Sequence, residues 1–177
     1  ILSLGDIVSS QSVRMAGDKM NTDITEYIKA KHGLVIGEHS AEQIKIKLGT
    51  ALKVVEPKTM DVRGRDVATG MPRQIQINEN EIEEALHDTL DQIVHAAIAV
   101  LETVPPELAS DIIDRGVMLT GGTALLHGID QLFSEKLKVP VVVSQDPLDN
   151  VAKGAGELLE RMQANPANNG KRKRKRK

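Results

Sequence analysis

The sequence predicts a mixed α/β protein, and three features lead to that prediction. In the second half, strands are predicted at residues 116–120 and 140–143, and helices at residues 123–136 and 148–161. This order of strand, helix, strand and helix favours a parallel, right-handed α/β unit. In the first half, two amphipathic helices precede short β-type segments, and one long helix joins the halves. A chain of 177 residues is long enough for one or two domains with a buried core.

Apolar spacing and cap residues predict the two helices of the first half. Residues 18–31 place apolar side chains at helical spacing, and Gly33 follows where a left-handed C-terminal cap is expected. Ser40 and Gln43 match a capping box, in which the two side chains bind amides of the first turn. We therefore expect a second helix that begins at Ser40 and ends at Gly49.

The middle of the chain combines a predicted meander with the longest predicted helix. Short β-type runs at residues 52–55, 60–63 and 74–77 are separated by glycine and proline, which is typical of an antiparallel meander. Apolar residues then recur every three or four positions over residues 82–101, with glutamates near the start, where the helix dipole favours acids. A short helix is expected to follow Pro106, because proline at the first helical position loses no hydrogen bond.

Composition excludes several kinds of functional site. The chain has no cysteine, which excludes a disulfide framework, a thiolate nucleophile and a zinc–thiolate site, and which is usual in a reducing compartment such as the cytoplasm. Tyr27 and Phe133 are the only aromatic residues, so base stacking on aromatic platforms is largely excluded. No apolar run approaches the roughly 18 residues of a membrane-spanning helix.

Charge is distributed unevenly along the chain. Residues 171–177 (KRKRKRK) hold 7 of the 23 basic residues, which leaves 16 basic against 25 acidic residues in residues 1–170, a net charge of −9. An acidic body disfavours nucleic acid or an anionic membrane and confines such attraction to the tail. Residues 164–177 are predicted to be a disordered linker and basic tail. The chain opens on Ile1 in a strand-like run without an initiator Met, which suggests a fragment of a longer protein.

Two patterns are candidates for ligand binding. Residues 119–126 (LTGGTALL) place two glycines between a predicted buried strand and a helix, where free N–H groups can reach a ligand, although an ordinary tight turn has the same pattern. Glu42 and Lys45 lie one helical turn apart, where a carboxylate can accept ribose hydroxyls and a lysine stem can cover a purine. A surface ion pair has the same spacing.

Other patterns favour a structural interpretation. Gly154 and Gly156 lie inside a predicted helix, which indicates either a close helix contact or a helix that starts late. His87, Asp91 and His95 follow i, i+4, i+8 spacing, but they lie on the predicted solvated face, and no fourth metal ligand is evident. No Ser-His-Asp or paired-carboxylate arrangement is evident, so no catalytic residue and no metal ligand are predicted.

Several longer motifs together resemble the MreB family of bacterial actin homologues. The motifs are residues 37–45 (GEHSAEQIK), 64–70 (GRDVATG), 101–108 (LETVPPEL), 117–122 (VMLTGG) and 146–148 (DPL). They occur in the family's order, and the resemblance extends over residues 1–163. It implies the second lobe of an actin-like ATPase fold, in which residues 1–16 and 79–163 form a large α/β subdomain and residues 17–78 a smaller inserted α+β subdomain.

The resemblance also implies a nucleotide site for ATP or ADP. In such proteins the adenosine lies between a helix and a turn, which here correspond to Glu42, Gln43, Ile44 and Lys45 and to Gly121, Gly122, Thr123, Ala124 and Leu125. Thr123 stands where a third glycine is common. Mg²⁺ is expected with the phosphates in the full-length family. The family's phosphate loops and catalytic glutamate have no counterpart in this sequence, so the chain alone is expected not to hydrolyse ATP.

By resemblance, the expected role is in the bacterial cytoskeleton. Family members form nucleotide-dependent filaments that maintain rod shape by directing cell-wall synthesis. The expected partners are other copies of the protein and wall-synthesis proteins such as RodZ-like membrane proteins. The expected location is the cytoplasm, including the inner face of the plasma membrane. An alternative is a truncated lobe that acts as an interaction module through its basic tail on nucleic acid or anionic membrane.

Overall fold

The computed structural model describes residues 1–3 and 5–164. Its helices are α1 (Gly17–His32), α2 (Glu38–Leu48), α3 (Glu79–Glu102), α4 (Pro106–Arg115), α5 (Ile129–Leu137) and α6 (Asn150–Ala164). Its strands are β1 (Leu2–Ser3), β2 (Asp6–Ile7), β3 (Leu34–Val35), β4 (Thr59–Asp66), β5 (Pro72–Asn78), β6 (Val117–Leu119) and β7 (Val141–Val143). The predicted basic tail, residues 171–177, lies outside the described residues.

The first half contains the predicted helices and an antiparallel sheet. Helix α1 ends at Gly33, whose φ of 61° is left-handed, as predicted. The sheet has the order β3-β4-β5, and the β4–β5 register runs from Thr59 opposite Asn78 to Arg65 opposite Pro72. Side chains from this sheet, α1 and α2 meet in one apolar core.

One strand of the predicted meander is wrong. Residues 52–55 form no strand, because the side chain of Asn80 makes hydrogen bonds with both the N–H and the C=O of Val54. The Val54 amide donates to Asn80 Oδ1 at 2.8 Å, and Asn80 Nδ2 donates to the Val54 carbonyl at 3.0 Å. The third strand is β3, which is too short to be recognised by alternation.

The capping box predicted at Ser40 is also wrong. Helix α2 begins at Glu38 after Gly37, which has an extended conformation, so Ser40 already lies in the first turn and makes no cap. The capping box in the first half begins α3 instead. There the Glu81 amide donates to Asn78 Oδ1 at 3.2 Å, and the Asn78 amide donates to Glu81 Oε2 at 3.0 Å.

The second half contains the predicted parallel strand pair. Strands β6 and β7 pair in parallel, with Val117 opposite Val141 and Leu119 opposite Val143. The helix predicted over residues 123–136 is instead a 3₁₀ helix at Gly122–Leu125 followed by α5. The break occurs at Gly128, whose φ of 72° is incompatible with a continuous α-helix.

Helices differ greatly in how far they are covered. The longest helix, α3, buries Ile82, Leu86, Leu90 and Val94 in the core. Helix α4 begins with Pro106 at its first position, as predicted, but has no buried residue. Residues 151–163 of α6 are all exposed, and a Cβ on Gly154 or Gly156 would meet nothing within 4 Å. The close helix contact that these glycines suggested is therefore absent from the described part of the chain. Among the described helices, none combines the length and apolarity needed to cross a membrane.

Candidate functional site

The two predicted parts of the nucleotide site are joined by backbone hydrogen bonds just beyond their ends. The Ala51 amide donates to the His127 carbonyl at 2.8 Å, and the His127 amide donates to the Gly49 carbonyl at 3.3 Å. A Cβ on Gly49 would lie 2.2 Å from the Lys45 carbonyl oxygen of its own helix and 2.5 Å from Leu126 Cδ2, so the end of α2 has room only for glycine. These contacts therefore fix the position of helix α2 relative to the 3₁₀ helix.

Helix α2 presents three of its four predicted site residues away from the core. Glu42 is exposed, Gln43 and Lys45 are half-buried, and Ile44 is fully buried in the core. The Ile44 side chain therefore supports the helix by packing. Lys45 Nζ donates to the Gly17 carbonyl at 3.1 Å, which links α2 to the start of α1. Gly17 was not predicted, because a backbone carbonyl leaves no side-chain signal in the sequence.

The second part of the site is the turn from Gly121 to Leu125. Gly121 has a φ of 88°, which favours glycine, and a Cβ there would meet nothing within 4 Å, so this side of the turn is open. The Gly121 amide donates to the Pro147 carbonyl at 2.8 Å. Thr123 is half-buried, Ala124 is 5% exposed and Leu125 is 58% exposed.

The next two backbone amides of the turn remain available. Among the described residues, the amides of Gly122 and Thr123 donate to no protein acceptor. A Cβ on Gly122 would lie 3.6 Å from Leu148 Cδ2, which is ordinary contact. The turn thus combines an open side with two free donors, which fits a polar ligand that approaches the backbone.

A cluster of polar side chains lies beside the turn, where both parallel strands end. Asn150 Nδ2 donates to Ser144 Oγ at 2.6 Å and to Thr120 Oγ1 at 3.2 Å. Thr120 Oγ1 donates to the Pro147 carbonyl at 3.1 Å. Ligands of α/β proteins commonly bind outside the carboxyl ends of parallel strands. The sequence analysis did not predict this cluster. A sequence pattern that indicates it is the polar residue that directly follows each predicted strand.

Two charged side chains near the turn form an ion pair. Lys153 Nζ contacts Asp146 Oδ2 at 2.7 Å, and this hydrogen bond raises the pKa of Lys153. In the described ranges, no cluster of three His, Asp or Glu side chains is arranged to hold a metal ion. The arrangement offers backbone donors, one exposed carboxylate and a lysine stem, which are groups suited to binding.

His87, Asp91 and His95 lie on the exposed side of α3, as predicted. Their side chains are 65%, 38% and 70% exposed. His87 Nδ1 lies 3.6 Å from Glu83 Oε1, and His95 Nδ1 lies 3.4 Å from Asp91 Oδ2. Each histidine therefore lies beside an acid one turn earlier on its own helix, and His95 Nδ1 also lies 2.8 Å from the Asp91 carbonyl oxygen.

Comparison with known proteins identifies relatives along most of the chain. The family model described as MreB/Mbl protein matches residues 1–167. The cell shape-determining protein Mbl of Bacillus subtilis (strain 168) is 51% identical over 166 residues, which cover 94% of this chain and 50% of Mbl. The cell shape-determining protein MreB of Escherichia coli (strain K12) is 48% identical over 160 residues, which cover 90% of this chain and 46% of MreB.

Solved structures agree with these relatives. MreB5 of Spiroplasma citri bound to AMPPNP matches with a TM-score of 0.88 and 34% identity, over 94% of this chain and 50% of MreB5. The MamK double helical filament matches with a TM-score of 0.71 and 19% identity, over 84% of this chain and 45% of MamK. At 19% identity, the second likeness shows the fold alone.

These matches confirm the predicted α/β actin-like fold. The chain spans about half the length of the relatives that it matches. The family model nevertheless covers nearly all of the chain itself, and the sequence and structural comparisons agree. This chain belongs to the MreB/Mbl family of actin-like, cell shape-determining proteins.

Proposed function

We propose that this chain is the C-terminal part of an ATP-binding, filament-forming cytoskeletal protein that maintains rod shape by directing cell-wall synthesis. The support is membership of the MreB/Mbl family and relatives named for determining cell shape. Crystal structures of MreB5 of Spiroplasma citri have it bound to AMPPNP and to ADP. The proposed division is a large subdomain of residues 1–16 and 79–163 with residues 17–78 inserted as a small one.

The proposed ligand is the adenosine end of ATP or ADP, held between α2 and the turn. The observation that carries this proposal is the backbone link between residues 49–51 and 126–127, which holds the two elements together. Glu42 would accept the ribose hydroxyls, the Lys45 stem would cover the purine, and the free amides of Gly122 and Thr123 would line the turn. We assign no residue of this chain to the phosphates or Mg²⁺.

Calorimetry with adenosine, ADP and ATP tests this placement. Because the assigned residues contact only the adenosine end, the three ligands should bind the chain weakly and with similar affinity. Lys45→Ala should weaken all three alike, whereas Lys47→Ala, an exposed lysine of the same helix, should not. Binding of ATP more than about tenfold tighter than adenosine, or about 1.4 kcal/mol, would contradict the placement.

We propose that the chain alone does not hydrolyse ATP. Phosphoryl transfer depends on positioned phosphate and Mg²⁺ contacts, and the proposed site residues face the adenosine end. Phosphate release by the chain should equal the blank without protein. Steady release that Lys45→Ala abolishes would show catalytic contacts that this proposal lacks.

The proposed partners are other copies of the protein and RodZ-like membrane proteins, in the cytoplasm or at the inner face of the plasma membrane. A second candidate function rests on the seven consecutive basic residues 171–177, which would bind an anionic membrane. The chain should then sediment with phosphatidylglycerol vesicles at low salt, and deletion of residues 171–177 should abolish this. Sedimentation of the deleted form, or preferential binding of nucleic acid by the intact chain, would overturn this candidate.

A further inference from the structure

Thr50 is a fully buried residue that lies between the two parts of the proposed nucleotide site. It follows the end of α2 and lies opposite His127 in an isolated parallel bridge, two residues after the turn. The neighbours of Thr50 make the main-chain bonds of this bridge. The His127 amide donates to the Gly49 carbonyl at 3.3 Å, and the Ala51 amide donates to the His127 carbonyl at 2.8 Å. Thr50 contributes to the junction through its side chain.

The Thr50 hydroxyl closes a tight turn in its own segment. It donates to the Leu52 carbonyl at 2.8 Å and accepts from the Leu52 amide at 3.3 Å. Serine and threonine side chains commonly close turns by such bonds to the main chain two residues further on. Ala51 lies inside this closed turn, so the hydroxyl holds the Ala51 amide in the direction of the His127 carbonyl.

The same hydroxyl oxygen also reaches the other side of the junction. Thr50 Oγ1 lies 3.4 Å from His127 Nδ1 and 3.4 Å from the His127 carbonyl oxygen. In the His127 tautomer that carries hydrogen on Nδ1, the ring donates to Thr50 Oγ1. One buried oxygen therefore lies within hydrogen-bond distance of both segments.

Leu52, whose main chain the hydroxyl fixes, adds a packing contact at the junction. A Cβ on Gly128 would lie 3.1 Å from Leu52 Cδ1 and 3.4 Å from Leu52 Cγ, so Leu52 packs closely over Gly128. Gly128 is the residue at which α5 begins, directly after His127. Thr50 therefore acts on the end of the turn by two routes, directly at His127 and through Leu52 at Gly128.

A role in the apolar core alone would not require this hydroxyl. Valine has the shape of threonine without the hydroxyl, and burial of a hydroxyl costs free energy unless hydrogen bonds replace those to water. Within the described part of the chain, the hydrogen-bond partners of Thr50 Oγ1 all belong to residues 52 and 127. The hydroxyl therefore serves the junction between α2 and the turn.

We propose that Thr50 is a positioning residue of the nucleotide site. Its hydroxyl holds the turn, with the free amides of Gly122 and Thr123, in place against α2, which carries Glu42 and Lys45, and so sets the affinity for the nucleoside. Binding groups that are already in place lose less conformational entropy when the ligand binds. The effect on affinity rests on the proposed adenosine site, whereas the holding of the turn can be measured without any ligand.

Hydrogen exchange of the ligand-free chain, measured by NMR, tests the holding of the turn. Thr50→Val removes the hydroxyl and keeps the shape of the side chain. The amides of Ala51 and His127 should then exchange at least about tenfold faster relative to the Leu86 amide in the middle of α3. Thr50→Ser keeps the hydroxyl and should return this ratio to within about twofold of the original chain.

Thr89→Val is the matched control for loss of a buried threonine hydroxyl. Thr89 is also buried, and its hydroxyl donates to Asp23 at 2.5 Å in the contact between α1 and α3. A loss of overall stability accelerates exchange through global unfolding for all core amides alike. Thr89→Val should therefore leave the exchange of Ala51 and His127 relative to Leu86 unchanged.

Titration of the same variants with adenosine tests the consequence for binding. Thr50→Val should raise the Kd for adenosine at least about tenfold, and Thr50→Ser and Thr89→Val should leave it within about twofold. A merely structural threonine would instead lower the urea midpoint in both valine variants and leave the Kd of the folded chains unchanged. If Thr50→Val does not fold, Thr50→Ala replaces it, with Thr89→Ala as its control.

Three results would overturn the proposal. The first is relative exchange of Ala51 and His127 that is the same in Thr50→Val and in the original chain. The second is an unchanged Kd for adenosine in folded Thr50→Val, and the third is failure of Thr50→Ser to restore both measurements. If the original chain does not bind adenosine, the proposed nucleotide site is wrong, and faster exchange in Thr50→Val still supports the positioning of the turn.

Discussion

Helices α3 and α6 are both amphipathic, but only α3 is covered by other elements. Helix α3 packs against α1 and α5, and its apolar side is buried in the core. Helix α6 exposes Val151, Leu158, Leu159 and Met162, and residues 151–163 are exposed throughout. The contrast extends to the regions around them, since most core residues lie between Met20 and Val94. An apolar stripe thus shows which side of a helix needs cover, but not whether the chain provides it.

The largest expected difference between the two helices is in hydrogen exchange. Amides in the middle of α3 should exchange only through global unfolding, because both flanking helices must leave to expose them. Amides of α6 should exchange through local opening, at least about a thousandfold faster, which corresponds to about 4 kcal/mol. Exchange measured residue by residue by NMR decides this. Equal protection of the two helices would show that α6 has cover outside the contacts described above.

Truncation of one apolar side chain in each region should lower the free energy of unfolding by different amounts. Ile24→Ala removes a fully buried side chain and should destabilise the chain by about 2–5 kcal/mol through lost burial and a cavity. Leu158→Ala removes a side chain that is 57% exposed and should change stability by less than about 0.5 kcal/mol. Urea unfolding of both variants gives the two values. Comparable losses would contradict the described difference in packing.

Substitution of glycine by alanine, which enlarges the side chain, also tests the difference in packing between the two regions. Gly49→Ala should cost about 1–3 kcal/mol, because its Cβ would lie 2.2 Å from the Lys45 carbonyl oxygen at the end of α2 and 2.5 Å from Leu126 Cδ2. Gly154→Ala should instead stabilise α6 by up to about 1 kcal/mol, because nothing lies within 4 Å of its Cβ and alanine favours helices. Unfolding curves test the first variant and helicity by circular dichroism the second. A tolerated Gly49→Ala would mean that the backbone at the end of α2 shifts to make room for the added Cβ.

The smallest expected effect is at the tip of the β4–β5 hairpin. Asp66 Oδ1 accepts hydrogen bonds from the Thr69 amide at 2.9 Å, the Thr69 hydroxyl at 3.1 Å and the Ala68 amide at 3.0 Å. These bonds, those from Thr69 foremost, hold the pKa of Asp66 below its ordinary value. The folded state therefore gains stability from the Asp66 carboxylate above the ordinary aspartate pKa of about 4, and loses it as pH falls through the folded pKa.

The variant Asp66→Asn tests this pH dependence. It should be less stable than the original chain at pH near 6, and the difference should vanish once the pH falls below the folded pKa of Asp66. Urea unfolding across this range measures the effect, and Asp61→Asn on the same strand is the control for loss of a negative charge. A difference that persists at the acidic end would show that the amide geometry, and not the charge, holds the turn.

The predicted residues of the candidate site differ in how the structure places them. Glu42, Gln43 and Lys45 lie outside the core as a ligand site requires, whereas Ile44 belongs to the core. The Thr120, Ser144 and Asn150 cluster was missed, because three residues far apart in the chain meet only where two parallel strands end together. The backbone link between residues 49–51 and 126–127 has no sequence pattern at all, because it uses main-chain groups that every residue carries.

By itself the sequence determined the elements whose signals are local. Helix α1 and its Gly33 cap, the long helix α3 and the proline start of α4 depend on periodicity and caps within a few residues, and the parallel pairing of β6 with β7 follows from the alternation of strands and helices along the chain. Tertiary structure decided the rest. The Asn80 side chain forms hydrogen bonds with the main chain of Val54 where a strand was predicted. The predicted helix over residues 123–136 is interrupted at Gly128, next to His127, whose main chain bonds with Gly49 and Ala51. These outcomes depend on which distant groups compete for the same backbone hydrogen bonds, and a local pattern carries no information about that competition.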